Sequence, residues 1–209
     1  MIKSELRQAI RRMTTVTMNK EYRSITMPLA VTATGQKLLE SEYYVEGYAT
    51  TFNSPYELYR IGDKKYYEVI DRHALDNADM SDVIMQYDHA GRIYARNSNN
   101  TLLLNINDRG LLIAADLSKT QLSKELYEDI KAEMINKMSW SFIVKRDRYD
   151  KATRTRTILE VNKIYDVSAV SVPANDNTII SARDYFNAQH EKEQQITKRI
   201  KALKILSTI

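Results

Sequence analysis

The sequence predicts an α+β domain that is mainly β, and three observations carry that reading. Residues 44–52 alternate, with Val45, Gly47, Ala49 and Thr51 on one face and Tyr44, Glu46, Tyr48 and Thr50 on the other, which is the period of a pleated strand. Residues 82–87, 101–106 and 111–117 are short apolar runs bounded by turn residues, as buried or half-buried strands are. One amphipathic helix interrupts them. Ser118 and Gln121 fit a capping box ahead of Leu122, Leu126, Ile130 and Met134, which follow at four-residue intervals.

The remaining elements follow in order. The stretch Asn107-Asp108-Arg109-Gly110 reads as a hairpin turn, with Gly110 free to take positive φ. Strands are predicted at 139–148, 154–162 and 164–172, with Asp150-Lys151-Ala152-Thr153 as a turn. Pro173 should end the last strand, because it cannot donate to a ladder. Three zones result: 1–40, an N-terminal extension and linker; 41–181, the folded body; and 182–209, a charged helical tail. In the first, Ile2, Leu6, Ile10 and Met13 have helical spacing and a Thr-rich stretch runs on to Gly35. It reads as a frayed helix and linker, with a partner-docking segment as the other reading. In the third, Ile196, Ile200, Leu203 and Leu206 form one stripe.

Composition narrows the function. A chain of 209 residues is long enough to bury roughly 70% of its unfolded surface. Without cysteine there is no disulfide framework, thiolate metal site or thiol nucleophile. No apolar run is long enough for a membrane helix, and the basic N-terminus lacks the apolar run of a secretory signal. The net charge of +4 resides in the ends: residues 1–20 carry +4 and 182–209 carry +3, leaving −3 on the body. A nucleic-acid enzyme would show its basic stripe on the folded body, so DNA and RNA are discounted as substrates. There is no H-E-x-x-H, P-loop, G-x-G-x-x-G or EF-hand loop, and the chain clusters no metal-ligand set.

Candidate catalytic groups are few. Of three histidines, His190 lies in the charged tail and His73 opens a short helical turn; both read as solvated or surface residues. His89 directly follows the strand-like run 82–88, at the point where a strand gives way to a loop, and such positions often carry function. From the residues alone, a lone histidine is more often structural or exposed. Ser139 opens a strand in Met138-Ser139-Trp140-Ser141-Phe142. Alternation puts Ser139 and Ser141 on one face, while Trp140 and Phe142 on the other would anchor it. An amphipathic strand with ordinary surface serines is the plainer reading. No G-x-S-x-G elbow is present.

Several blocks, in order, resemble the caudoviral prohead protease family, which shares its fold with the herpesvirus assembly proteases. Val45-Glu46-Gly47-Tyr48-Ala49 is similar to its "G-Y-A" strand, and Tyr67-Glu68-Val69-Ile70 with Ala74-Leu75 to its "E-x-I … G-A-F" segment. His73 stands where the family has Gly, which argues against a catalytic role for it. Val83 to His89 resembles the strand that delivers the catalytic histidine, and Arg96 looks like the arginine that follows it. Arg109-Gly110-Leu111 and Ala115-Asp116-Leu117 match the paired strands after that. The 138–142 block is similar to "M-S-x-G-F", with Ser141 replacing Gly. The run from Ile164 to Ala174 resembles "L-Y-E-V-S-x-V-x-x-P-A", with Asp166 where the family carries Glu.

The resemblance implies a closed or nearly closed β-barrel of about seven strands flanked by helices. It also implies a serine endopeptidase with Ser139 as nucleophile, His89 as base and Asp166 as the group that orients His89, with Glu160 as the alternative to Asp166. Oxyanion donors would be backbone N–H groups beside Ser139 or an arginine such as Arg96. No cofactor or metal is implied. Implied partners are the major capsid protein and scaffold as substrates, and the chain itself by autoproteolysis, with a homo-oligomer allowed and neither nucleic acid nor membrane involved. The implied setting is the assembling prohead in the host cytoplasm. Two other readings stand beside this: a non-catalytic assembly or scaffold-like protein retaining the fold, and an unrelated β-rich binding module.

Overall fold

The computed structural model describes residues 20–31, 35–171, 191 and 194–200, with the side chains of 24–28 left aside. The N-terminal helical pattern, Pro173, His190, Leu203 and Leu206 lie outside the described residues.

Ten strands, a short 3-10 helix (Asn97–Asn99) and one α-helix make up the described body, and the fold is mainly β as the sequence predicts. The strands are β1 (Lys20–Pro28), β2 (Tyr44–Thr51), β3 (Tyr56–Ile61), β4 (Lys64–Ile70), β5 (Ile84–Tyr87), β6 (Ala90–Arg96), β7 (Leu102–Ile106), β8 (Gly110–Asp116), β9 (Lys137–Asp150) and β10 (Thr155–Val170). Helix α1 spans Gln121–Lys131. Seven strands form one sheet in the order β1-β9-β10-β4-β3, with β5 and β6 extending it from the other half of β10. The other three form the sheet β2-β8-β7.

The expected closed barrel does not form, and both sheets are open. Each corner where closure would occur carries one isolated bridge, Ala30 to Glu46 and Phe52 to Ile70. Pro28 ends β1 and has no N–H to continue a ladder. Beyond Phe52, Asn53 takes left-handed backbone (φ 51°) and turns the chain away.

The sheets share one core. Val45, Ala49, Leu111, Ile113 and Ala115 pack with Trp140, Phe142, Ile164, Val167 and Met85. Strand β8, Gly-Leu-Leu-Ile-Ala-Ala-Asp, is buried throughout. The predicted strands 154–162 and 164–172 are one strand, β10. Register shifts between Ile158 and Asp166 bend it. It thereby pairs in parallel with β4 through 155–158 and with β5 through 166–169. A single residue run thus serves two neighbours.

Two local readings are corrected. The helix is capped by Thr120, whose Oγ1 accepts from Ser123 N at 3.1 Å, rather than by a Ser118–Gln121 box. The Ser118 N–H donates instead to Asp116 Oδ1 at 3.0 Å. Leu126 and Ile130 are buried, but Met134 lies beyond the helix and is 77% exposed. Gly110 does not use positive φ. Its backbone lies against β2, where a Cβ would sit 2.0 Å from the Thr50 carbonyl oxygen. Gly110→Ala is therefore expected to destabilise the fold by about 1–3 kcal/mol, as overpacking does. Gly35→Ala, whose Cβ would meet nothing within 4 Å, should stay within about 0.5 kcal/mol. Urea unfolding of the two variants checks this.

Candidate active site

Register alone assembles a polar row on one face of the large sheet. Strand β9 lies between β1 and β10, and residues paired across antiparallel strands share a face. Ser139 pairs with Ser168 of β10, and Ser141 pairs with Tyr22 on one side and Asp166 on the other. The intervening residue, Trp140, faces the core and stacks on Phe142 with ring centroids 3.9 Å apart. Both rings are fully buried. The serine face is thereby fixed by aromatic packing behind it.

His89 reaches this row from the β5–β6 hairpin. Tyr87 pairs with Ala90, leaving Asp88 and His89 as a two-residue turn with φ of 48° and 58°. Two consecutive positive φ values are what a primed hairpin turn requires, and outside glycine they carry strain of the kind found at functional sites. Asp88 secures the turn to the end of β10. Its N–H donates to the Ala169 carbonyl at 3.0 Å, and its carboxylate accepts from Ser171 N at 3.0 Å and Ser171 Oγ at 2.8 Å.

The three residues singled out in the sequence meet. His89 Nε2 lies 2.5 Å from Ser139 Oγ, and His89 Nδ1 lies 2.5 Å from Asp166 Oδ1. Asp166 Oδ1 also accepts from Ser168 Oγ at 2.8 Å; Oδ2 accepts from Ser141 Oγ and from Lys20 Nζ at 3.2 Å. Burial by itself would raise the carboxyl pKa. Hydrogen bonds and charge from His89, with the hydroxyls of Ser141 and Ser168, outweigh it and hold Asp166 down to about 2. The imidazole tautomer that donates Nδ1–H to an ionised Asp166 presents its Nε2 lone pair to the serine hydroxyl. Such a relay can draw a proton from Oγ as the oxygen attacks a carbonyl.

The other candidates lie elsewhere. Glu160 pairs with Lys145 at 2.6 Å and Arg146 at 3.7 Å. Arg96 forms a bidentate pair with Asp82 on the surface. His73, its side chain 77% exposed, faces Asp76 at 2.9 Å. Among the described residues no group of His, Cys, Asp and Glu could hold a metal.

A second buried polar cluster lies on the core side of the same strands. Arg23 donates to Glu68 through Nε (2.5 Å) and Nη2 (2.9 Å), and its guanidinium stands over the Phe142 ring at 5.6 Å. Glu68 also accepts from Tyr56 OH at 2.5 Å and from Arg156 at 3.3 Å; Arg156 in turn donates to Asp147 at 2.6 Å and to Glu21 at 2.7 Å.

An open-sheeted β protein with a serine, an imidazole and a buried carboxylate in line has the makings of a serine hydrolase. The model of the caudovirus prohead serine protease family matches residues 31–195, and the chain belongs to that family. No curated protein and no solved structure matches it.

The depressed carboxyl has a consequence for acid stability. Asp166 keeps its charge in the fold after the unfolded chain, at its ordinary value near 3.8, has taken up a proton. Its contribution is complete above that value and is lost as pH falls toward 2. Thermal unfolding between pH 5 and pH 2 should show Tm falling across this window, with a shallower fall in Asp166→Asn.

Proposed function

We propose that this chain is a serine endopeptidase that cuts scaffold or capsid-protein segments, and itself, inside the assembling prohead. Ser139 is the nucleophile, His89 the general base and then acid, and Asp166 the residue that fixes the imidazole. The observation that carries this is the unbroken line Ser139 Oγ–His89 Nε2 and His89 Nδ1–Asp166 Oδ1, each link 2.5 Å, in a chain of a serine protease family.

In the reaction, Ser139 Oγ attacks the scissile carbonyl carbon while His89 Nε2 takes its proton. The imidazolium that forms is held against the Asp166 carboxylate, and its proton passes to the departing amine. Water then hydrolyses the acyl ester by the same route in reverse. Positioned proton transfer of this type contributes roughly 10²–10⁴-fold. The body, 41–181, does the chemistry, and a flanking segment, near 1–40 or 182–209, recruits it to capsid or scaffold and is trimmed by self-cleavage. Among the described residues no helix is long and apolar enough to cross a membrane.

Co-expression with the phage's capsid protein tests the reaction: wild type should remove a terminal segment of the capsid protein and Ser139→Ala should leave it whole. Equal processing by both would refute the assignment. Asp166→Asn should lower kcat by about 10²–10⁴-fold with an unchanged far-UV circular dichroism spectrum. Undiminished turnover would remove Asp166 from the mechanism.

A further inference from the structure

The reactive groups are covered. Ser139 is 1% exposed, Asp166 is fully buried and the His89 side chain is 5% exposed. The covering element is β1, an edge strand that among the described strands pairs in the sheet with β9 alone. Three of its groups converge on the line of reactive side chains. The Arg23 carbonyl oxygen lies 3.0 Å from Ser139 Oγ, Lys20 Nζ donates to Asp166 Oδ2 at 3.2 Å, and the Tyr22 ring packs edge-on to His89 at 4.8 Å between centroids. A protease closed this way can act only if the cover leaves or is itself the substrate.

β1 has the form of a bound substrate. An extended peptide added to an open sheet edge is a common way of binding chains in β form, and β1 runs antiparallel to the strand that bears the nucleophile. It also lies upstream of residues 31–195, the span that matches the protease family. The peptide carbonyl against Ser139 belongs to Arg23, and the Arg23 side chain enters a site built from the body: Glu68 as a bidentate carboxylate, the Phe142 ring, and Tyr56, Arg156 and Asp147 around Glu68. With β1 removed, the formal charges of Glu68, Asp147 and Arg156 leave this site net negative. It is suited to one guanidinium or ammonium group.

We propose that β1 occupies the enzyme's own substrate channel, that the bond cut there is Arg23–Ser24, and that Glu68 selects an arginine or lysine on the N-terminal side of the scissile bond. The inference rests on the protease reading above and supplies its substrate class. In the self-cleavage, a bond forms between Ser139 Oγ and the Arg23 carbonyl carbon, and the carbon–nitrogen bond to Ser24 breaks. The Oγ proton passes through His89 to the Ser24 amine. One water then hydrolyses the ester, giving the Arg23 carboxylate and restoring the Ser139 hydroxyl. The departing piece takes Lys20 from Asp166 and Tyr22 from His89, and the channel opens to other chains.

The test uses the full chain and an internally quenched peptide with the sequence of residues 18–29, carrying Arg, Lys, Gln or Leu at position 23. Because only the peptide changes, folding of the enzyme is not at issue. The expected result is cleavage between positions 23 and 24, with Lys within about tenfold of Arg and with Gln and Leu slower by at least about 10²-fold, the scale on which an unpaired buried polar site rejects a ligand. Intact mass of the incubated wild-type chain should show a new N-terminus at Ser24, absent in Ser139→Ala. A denatured protein digested by both forms separates the failures. Ser139-dependent cuts that do not follow Arg or Lys would overturn the subsite and leave the protease reading standing. No Ser139-dependent cut in any substrate would overturn both.

Discussion

The antiparallel pairing of β9 with β10 is the constraint on which the rest of this molecule depends. Its register sets Ser139 opposite Ser168 and Asp166 opposite Ser141, so the Ser139 hydroxyl and the Asp166 carboxylate share one face without any loop having to find its place. A slip by one residue would turn both to the core and bring Trp140 and Val167 to the polar side. The stacked Trp140 and Phe142 rings make that slip costly, because each large aromatic buried in the core would have to be returned to water.

The same register makes it possible to bury a charge. An ionised carboxylate with no accessible surface is tolerated only when its oxygens are fully engaged. Asp166 meets that condition with partners from four elements: His89 from the β5–β6 turn, Ser141 from β9, Ser168 from β10 and Lys20 from β1. The strained Asp88–His89 turn is held by β10 through Ser171 and Ala169. The imidazole, carried by a short hairpin, is thus fixed to the strand that carries its carboxylate.

Much of this was legible in the sequence, for reasons that differ by residue. Strands β2, β7 and β8 show as alternation or as apolar runs bounded by turns, because their side chains must face a core. His89 and Ser139 stood out through the order of the family's motifs; spacing alone left each with an ordinary structural reading. Sheet closure was not legible, since it depends on whether corner strands share a ladder or a single bridge, and that is decided by Pro28 and Asn53 acting on backbone direction. Nor was β1. Lys-Glu-Tyr-Arg-Ser has no apolar stripe, and its burial comes from Arg23 meeting Glu68 forty-five residues away, a pairing that no local pattern encodes. Alternation already puts Ser141 on the Ser139 face, and Ser168 could have been found the same way, two residues from Asp166 on one strand face.

The central claim is that one serine, activated by one imidazole, carries the chemistry of this chain. Reaction of the incubated wild-type protein with a phosphonylating serine reagent, followed by peptide mass mapping, tests it most directly. The account predicts a single adduct, on Ser139, that disappears in His89→Ala. Adducts on other serines with Ser139 unmodified, or a Ser139 adduct that persists without His89, would contradict it.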